Sequence, residues 1–113
     1  MVRLYGITNC DSVKKAIGFL KSHGIPYEFI DFKTNPVDCG TVKPWSAQVG
    51  IKTLFNTRGT TYRTLKLKEL GLNEEEQLMW LCKENLLIKR PVLEKDGAIT
   101  VGFTRENYEN LFV

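Results

Sequence analysis

The stretch from Val2 to Leu20, VRLYGITNCDSVKKAIGFL, contains a cysteine between an extended apolar run and a helical pattern. The apolar and aromatic residues before Cys10 favour a strand, whereas those after Asp11 recur every three or four positions, as on one face of a helix. These helical positions are Val13, Ala16, Ile17 and Leu20. The sequence therefore predicts that Cys10 lies in a strand-to-helix turn.

A turn of this kind favours the reactive form of a thiol. The first backbone N–H groups of a helix have no partner within the helix, and the helix dipole is positive at that end. Both effects favour the thiolate, which is the nucleophilic form. We expect Asn9 and Ser12 to cap this helix, and Lys14 to add positive potential one turn further on.

Turn signals on both sides of the first helix indicate a β-α-β opening. Gly24 predicts a left-handed C-cap for a helix from about Asp11 to His23, and Pro26 prevents the helix from continuing. Residues 27–32 are rich in aromatic and β-branched side chains, which predicts the second strand.

The middle of the chain, at about residues 35–88, is predicted to be a helical insert. Pro, Gly and Thr punctuate its first half, where short helical pieces are expected at 41–49 and 51–56. A clearer helix follows Asn73, because Glu76 three residues later completes a capping-box pattern before an apolar stripe.

The last part of the chain predicts two strands and a helix. Asp96-Gly97 forms a turn signal between apolar runs at 92–94 and 98–101, and Thr104 is a suitable cap for the helix that follows. The inward positions of that helix are expected to be Tyr108, Leu111 and Phe112.

The complete order is β-α-β, a helical insert and β-β-α. This order predicts an α/β protein with a thioredoxin-like fold, in which a four-stranded mixed sheet carries helices on both faces. In that fold the reactive cysteine follows the first strand and a proline precedes the third. The corresponding residues here are Cys10 and Pro91.

Length and charge limit the possible organisation and partners. A chain of 113 residues with no linker-like composition predicts a single domain spanning 1–113. Sixteen basic and 13 acidic residues give a net charge of +3, which is too mild to indicate direct binding to nucleic acid.

The cysteines predict a reducing environment. Three cysteines at wide spacing, without a C-x-x-C pair and with one histidine, suggest neither a disulfide framework nor a metal site. Cys82 is expected to be a small core residue, and Cys39 is a candidate resolving thiol if the insert folds back on Cys10. Free thiols, the absence of a leader-like N-terminus and the absence of a long apolar run predict a cytoplasmic protein that is not in a membrane.

Three blocks of the chain resemble the conserved blocks of the arsenate reductase (ArsC) family, in the family's order. They are residues 5–16 (YGITNCDSVKKA), 54–60 (LFNTRGT) and 87–92 (LIKRPV), and Gly102-Phe103 resembles the end of the family's hairpin. The chain is most similar to the YffB-like branch, which is related to the Spx regulators.

The resemblance implies roles for three residues. In ArsC enzymes the turn cysteine attacks arsenate and arginines from the two later blocks hold the oxyanion, which implies a nucleophilic Cys10 and anion binding by Arg58 and Arg90. The YffB-like branch implies a thiol reductase with no bound cofactor, for which glutathione is the cosubstrate. Glutathione or a glutaredoxin would resolve the mixed disulfide on the single nucleophilic cysteine.

Two departures from related proteins narrow these implications. The family's third arginine corresponds to Phe103 in this chain, and an apolar ring cannot hold an arsenate dianion. Spx regulators bind the C-terminal domain of the RNA polymerase α subunit and sense oxidants through C-x-x-C, whereas the residue three after Cys10 is Val13. The alternative to a thiol oxidoreductase is a non-catalytic, Spx-like regulator that binds the polymerase α subunit.

Overall fold

The protein, described by a computed structural model over residues 1–112, divides into two units. We call residues 1–35 together with those from Arg90 onward the sheet unit, and residues 36–89 the helical unit. In chain order the elements are β1 (Val2–Gly6), α1 (Asp11–Ser22), β2 (Tyr27–Asp31), α2 (Cys39–Val49), α3 (Ile51–Leu54), α4 (Thr60–Thr64), α5 (Glu74–Lys83), β3 (Val92–Lys95), β4 (Ala98–Val101) and α6 (Arg105–Phe112).

The sheet unit contains one four-stranded mixed sheet in the order β2-β1-β3-β4. β1 pairs in parallel with β2, while β1 with β3 and β3 with β4 are antiparallel. A parallel pair requires a crossover, which α1 provides, and the antiparallel pair β3–β4 requires only the turn at Asp96-Gly97. This topology confirms the α/β, thioredoxin-like arrangement predicted from the element order.

The core of the sheet unit lies between the sheet and its helices. Val13, Ala16 and Leu20 of the predicted α1 stripe are buried and Ile17 is partly buried, and Tyr108 of α6 is fully buried in the same cluster. The buried members are Val2, Leu4, Val13, Ala16, Phe19, Leu20, Leu93 and Tyr108. Each large apolar side chain buried in this way contributes roughly 1.5 to 3 kcal/mol. The left-handed Gly24 (φ +65°) follows α1, which confirms the predicted helix end.

The helical unit consists of α2 to α5 and two short 3-10 segments, Leu67–Leu70 and Asn85–Leu87. The predicted capping box of α5 is present, because the Asn73 side chain accepts a hydrogen bond from the Glu76 N–H (2.8 Å) and the Glu76 carboxylate accepts one from the Asn73 N–H (3.1 Å). The predicted pieces at 41–49 and 51–56 correspond to α2 and α3. Sequence reasoning missed α4, which buries no residue and so lacks an apolar period.

No helix in residues 1–112 combines the length and the apolar character that crossing a membrane requires.

Candidate active site

Cys10 is the N-cap residue of α1. Its backbone is extended (φ −147°, ψ 121°), and its carbonyl oxygen accepts the first hydrogen bond of the helix from the Lys14 N–H (3.0 Å). The side chain is half-buried and packs against the core cluster, and it is the free cysteine among residues 1–112. The structure therefore confirms that a free thiol lies in the strand-to-helix turn.

The predicted capping role of Asn9 and Ser12 is wrong. Cys10 itself occupies the N-cap, and no side-chain hydrogen bond caps this end of the helix. Asn9 is exposed and Ser12 is half-exposed. Because no side-chain oxygen binds the first-turn amides, the positive end of the helix dipole is next to a thiol rather than a hydroxyl or amide cap.

Gly6 allows β1 and α1 to approach each other next to Cys10. A Cβ atom at this position would lie 2.6 Å from Cγ2 of Val13, which is fully buried in the first turn of α1. Val13 is β-branched and has little rotamer freedom in a helix, so it cannot move aside at low cost. The glycine thus fixes the distance between the end of the strand and the helix that carries Cys10.

We expect Gly6→Ala to lower the free energy of unfolding by about 1 to 3 kcal/mol, the usual cost of overpacking a core. Urea denaturation measures this change. Gly18→Ala is the matched control, because Gly18 lies in α1 and a Cβ there meets no atom within 4 Å. That control should be neutral or stabilising by about 0.5 to 1 kcal/mol. Equal losses in the two variants would contradict the close-approach explanation.

Arg90 and Pro91 lie at the same end of the sheet as Cys10. β1 runs toward the Cys10 turn, and β3 begins at that end because it is antiparallel to β1, with Val92 opposite Tyr5. Pro91 is buried, and the peptide bond between Arg90 and Pro91 is cis. Arg90 is half-buried, and its Nε atom is shielded from solvent. The topology thus brings together the thiol turn and the Arg90-Pro91 pair, as predicted.

Phe103 also lies at this end of the sheet unit. The chain leaves β4 at Gly102, whose N–H donates to the carbonyl oxygen of Pro91 (2.8 Å). The Phe103 ring packs edge-to-face on Tyr108 (4.7 Å between centroids) and on Phe19 (6.3 Å). The position that resembles the family's third arginine therefore belongs to an aromatic cluster and supplies no positive charge.

Charged side chains flank the start of α1. Lys14 and Lys15 are exposed within its first two turns, and Asp11 is an exposed acidic residue in the first turn. The lysines supply the positive potential predicted for this turn, and the exposed carboxylate of Asp11 partly offsets it.

Arg58 belongs to the helical unit. It is exposed, its N–H donates to Oδ1 of Asn56 (3.1 Å), and its carbonyl oxygen accepts a hydrogen bond from the Arg63 guanidinium (2.9 Å). A Cβ on Gly59 would lie 2.8 Å from the Asn56 side-chain amide nitrogen, which would have to shift to accommodate it. The participation of Arg58 in anion binding remains a prediction.

The predictions for the two remaining cysteines are wrong. Cys39 and Cys82 form a disulfide within the helical unit, so Cys82 is not a passive core thiol and Cys39 is not a free resolving thiol. Their separation of 43 residues gives no sequence signal, since only the packing of α2 on α5 brings them together. Residues 1–112 hold no cluster of three or more His, Cys, Asp or Glu side chains arranged to bind a metal.

Comparison with known proteins identifies relatives of the whole chain. The model of the ArsC family matches residues 5–111. The solved YFFB protein is 35% identical and covers 100% of both chains with a TM-score of 0.92. A possible arsenate reductase from Streptococcus mutans is 34% identical, covers 98% of this chain and 97% of its own, and has a TM-score of 0.82. The global transcriptional regulator Spx of Listeria innocua is 28% identical over 94% of this chain and 82% of its own.

Proposed function

Since the chain belongs to the ArsC family, we propose that it is a thiol oxidoreductase with a single nucleophilic cysteine, Cys10. One observation carries this proposal: the free thiol occupies the N-cap of α1, an end of the helix that no side-chain hydrogen bond caps. A helix N-terminus stabilises negative charge, so this position favours the thiolate that attacks disulfides.

The proposed reaction is a two-step thiol–disulfide exchange. The Cys10 thiolate attacks one sulfur of a substrate disulfide, forms a mixed disulfide and releases the other half of the substrate as a thiolate. A glutathione thiolate, or a glutaredoxin, then attacks the mixed disulfide and regenerates the Cys10 thiolate. One glutathione thiol is consumed and one substrate thiol is released while the disulfide bond passes from the substrate to glutathione, so electrons and protons balance without a bound cofactor.

Arg90 is the proposed anion-binding residue of the sheet unit. A guanidinium group pairs with a carboxylate through two parallel hydrogen bonds, which suits the carboxylates of glutathione. Arg90 lies at the same end of the sheet as Cys10, which supports placing the anion at the end that carries the thiol turn. Arg58 is proposed as a second anion ligand, and Lys14 adds long-range attraction.

Arsenate is not the proposed substrate. Phe103 packs in the aromatic cluster with Tyr108 and Phe19, and Asp11 places a carboxylate directly after the cysteine. Compared with the pattern of the ArsC enzymes, the site therefore has one arginine fewer and one carboxylate more. This charge balance favours a substrate whose own charge lies away from the reacting sulfur. A glutathione mixed disulfide has this property.

The location that suits this reaction is the cytoplasm. The cycle requires Cys10 to return to the free thiol after every turnover, and a reducing compartment with a glutathione pool supplies the electrons.

The test is NADPH oxidation coupled through glutathione and glutathione reductase, with a small organic disulfide and with arsenate as separate substrates. We expect disulfide-dependent turnover that falls to the rate of glutathione alone in Cys10→Ser. The Cys39→Ser/Cys82→Ser double variant is the control and should retain turnover. The proposal would be refuted if Cys10→Ser turned over the disulfide as fast as the unmodified protein. It would also be refuted if the protein turned over arsenate without a disulfide substrate and this activity did not need Cys10.

Arg90→Lys tests the anion site separately. We expect it to raise KM for glutathione roughly tenfold with little change in kcat, because lysine keeps the charge and loses the two-point hydrogen bonding. Arg105→Lys is the matched control, since Arg105 is exposed and pairs with Glu109 on its own helix. An unchanged KM in Arg90→Lys would remove Arg90 from the proposed site.

A second candidate function is a non-catalytic regulator that binds the C-terminal domain of the RNA polymerase α subunit. Two observations favour it: the similarity to Spx, and the exposed apolar side chains of Leu65, Leu70 and Met79 on the helical unit. Pull-down with that purified domain separates the two functions. Binding that survives Cys10→Ser, without turnover in the coupled assay, would favour the regulator.

A further inference from the structure

The disulfide of the helical unit joins two helices at defined positions. Cys39 is the first residue of α2 and Cys82 lies in the last turn of α5, with their Cα atoms 5.0 Å apart. The bond therefore ties the beginning of one helix to the end of another. Neither cysteine has a role in the proposed reaction of Cys10.

The same two regions are also held together without the disulfide. The buried side chain of Asn85 accepts a hydrogen bond from the Val37 N–H (2.6 Å) and donates to the Val37 carbonyl oxygen (3.1 Å). It also donates to the carbonyl oxygen of Leu81 (3.0 Å). We call this set of hydrogen bonds the Asn85 clamp. The clamp keeps the residues next to both cysteines close together when the sulfur–sulfur bond is broken.

Apolar packing supports the clamp. Val42 and Trp45 of α2 and Leu81 of α5 are almost completely buried within the helical unit. These buried side chains stabilise the unit in addition to the disulfide. Reduction is therefore expected to leave the helices folded and the two thiols near each other.

The two sulfur-bearing residues are accessible to small molecules. Both Cys39 and Cys82 are partly exposed, and their neighbours Asp38 and Lys83 are exposed. Partial exposure of both residues is compatible with the approach of a low-molecular-weight monothiol from solvent. Access and proximity are the two conditions for exchange in the folded state.

We propose that Cys39 and Cys82 form a second redox site: a reversible thiol–disulfide couple that exchanges with low-molecular-weight monothiols, such as glutathione, while the helical unit stays folded. The couple does not depend on the proposed activity of Cys10.

The exchange balances with a monothiol as the reductant. A first thiolate attacks one sulfur of the disulfide, forms a mixed disulfide with that cysteine and releases the other cysteine as a thiolate. A second thiolate attacks the external sulfur of the mixed disulfide and releases the second cysteine. Two monothiols become one disulfide, and their two protons end on Cys39 and Cys82. Oxidised glutathione runs the same steps in reverse.

Reduction removes the covalent tie at the start of α2 and leaves the Asn85 clamp. The N–H groups of Thr41 and Val42 donate to the Asp38 carbonyl oxygen (both 3.0 Å) and form the first turn of α2. This turn is the part of the helix next to the broken bond. Hydrogen exchange at these two amides should therefore become faster on reduction, and exchange in the middle of α5 should change less.

The test uses the full-length Cys10→Ser variant, so that only the pair reports. The protein is equilibrated natively in buffers of varied reduced-to-oxidised glutathione ratio, quenched with acid and alkylated, and its intact mass is measured. We expect two alkyl labels per chain to appear together in one transition as the glutathione ratio becomes more reducing. The transition should be the same when it is approached from the oxidised or the reduced protein, and the far-ultraviolet circular dichroism spectrum should not change. Cys39→Ser and Cys82→Ser, each in that background, should instead accumulate a stable adduct of one glutathione.

Two results would overturn the proposal. The first is a disulfide that millimolar glutathione does not reduce in the folded protein, and whose reduction rate rises with urea in parallel with the unfolded fraction. Such a bond would be a structural cross-link that opens only on unfolding. The other is failure of oxidised glutathione to close the bond in the folded, reduced protein. Neither result depends on turnover at Cys10, so this proposal and the proposed function can fail separately.

Discussion

Tyr108→Ala is expected to lower the free energy of unfolding by about 3 to 5 kcal/mol, the usual cost of removing a buried aromatic ring. Tyr108 is completely buried, and its ring packs edge-to-face on Phe19 (5.6 Å) and Phe103 (4.7 Å). Alanine would leave a cavity bounded by α1 and the end of β4, two segments that also bound the candidate active site. Urea denaturation under non-reducing conditions measures the loss.

Tyr108→Phe is the matched control, and it should not destabilise the protein. Among residues 1–112 the Tyr108 hydroxyl makes no hydrogen bond although it is buried, so its removal loses no partner. A gain of up to about 1 kcal/mol is expected, because an unsatisfied buried hydroxyl costs desolvation energy. A loss above 1 kcal/mol would show that the hydroxyl has a partner that matters.

The same pair of proteins should differ in alkaline solution. Burial raises the pKa of the Tyr108 phenol above its ordinary value of about 10. Above that pH the unfolded chain releases the phenolic proton while the folded protein retains it, so rising pH favours unfolding. We therefore expect the stability of the unmodified protein to fall more steeply above pH 10 than that of Tyr108→Phe.

Asn85→Ala is expected to lower the free energy of unfolding by about 3 kcal/mol, because it removes three hydrogen bonds to the part-buried backbone of Val37 and the buried carbonyl of Leu81. Asn107→Ala is the control, since Asn107 is exposed on α6 and surface substitutions usually change stability by less than about 0.5 kcal/mol.

The loss from Asn85→Ala should be larger after reduction than before it. While the Cys39–Cys82 bond is intact, it holds the same two regions and limits what loss of the clamp can release. A cycle of four states, clamp present or absent and disulfide closed or reduced, measures this coupling. Equal losses in both redox states would show that clamp and disulfide act independently.

The sheet unit could be predicted because its signals are local. The change from strand to helix pattern around Cys10, the left-handed Gly24 and the Asp96-Gly97 turn each lie within a few residues of the feature they specify. Pro91 was placed by the strand order and Arg90 by the family resemblance, and the antiparallel start of β3 then fixed their end of the sheet.

The helical unit could be predicted only in part. Asn85 begins a 3-10 segment, and its side chain accepts a hydrogen bond from the backbone of Val37, 48 residues away. Lys66 has a positive φ (54°), which side-chain identity gave no reason to expect. The disulfide depends on the packing of α2 against α5, which no local sequence pattern predicts. The disulfide and the Asn85 clamp both rest on distant contacts, which is why sequence reasoning missed them.

The Asn85 clamp also has a consequence for chain connectivity. Val37 and Asn85 lie near the two ends of the helical unit, so this unit holds its own ends together. The central pair β1–β3 lies on either side of this segment in the sequence, and joining strands across a flexible stretch of this length costs roughly 3 kcal/mol of loop-closure entropy. A folded segment with adjacent ends acts as a short loop and removes most of that cost. Insertions or deletions in the middle of the helical unit are therefore expected to have little effect on the stability of the sheet, provided that the two ends of the unit stay adjacent.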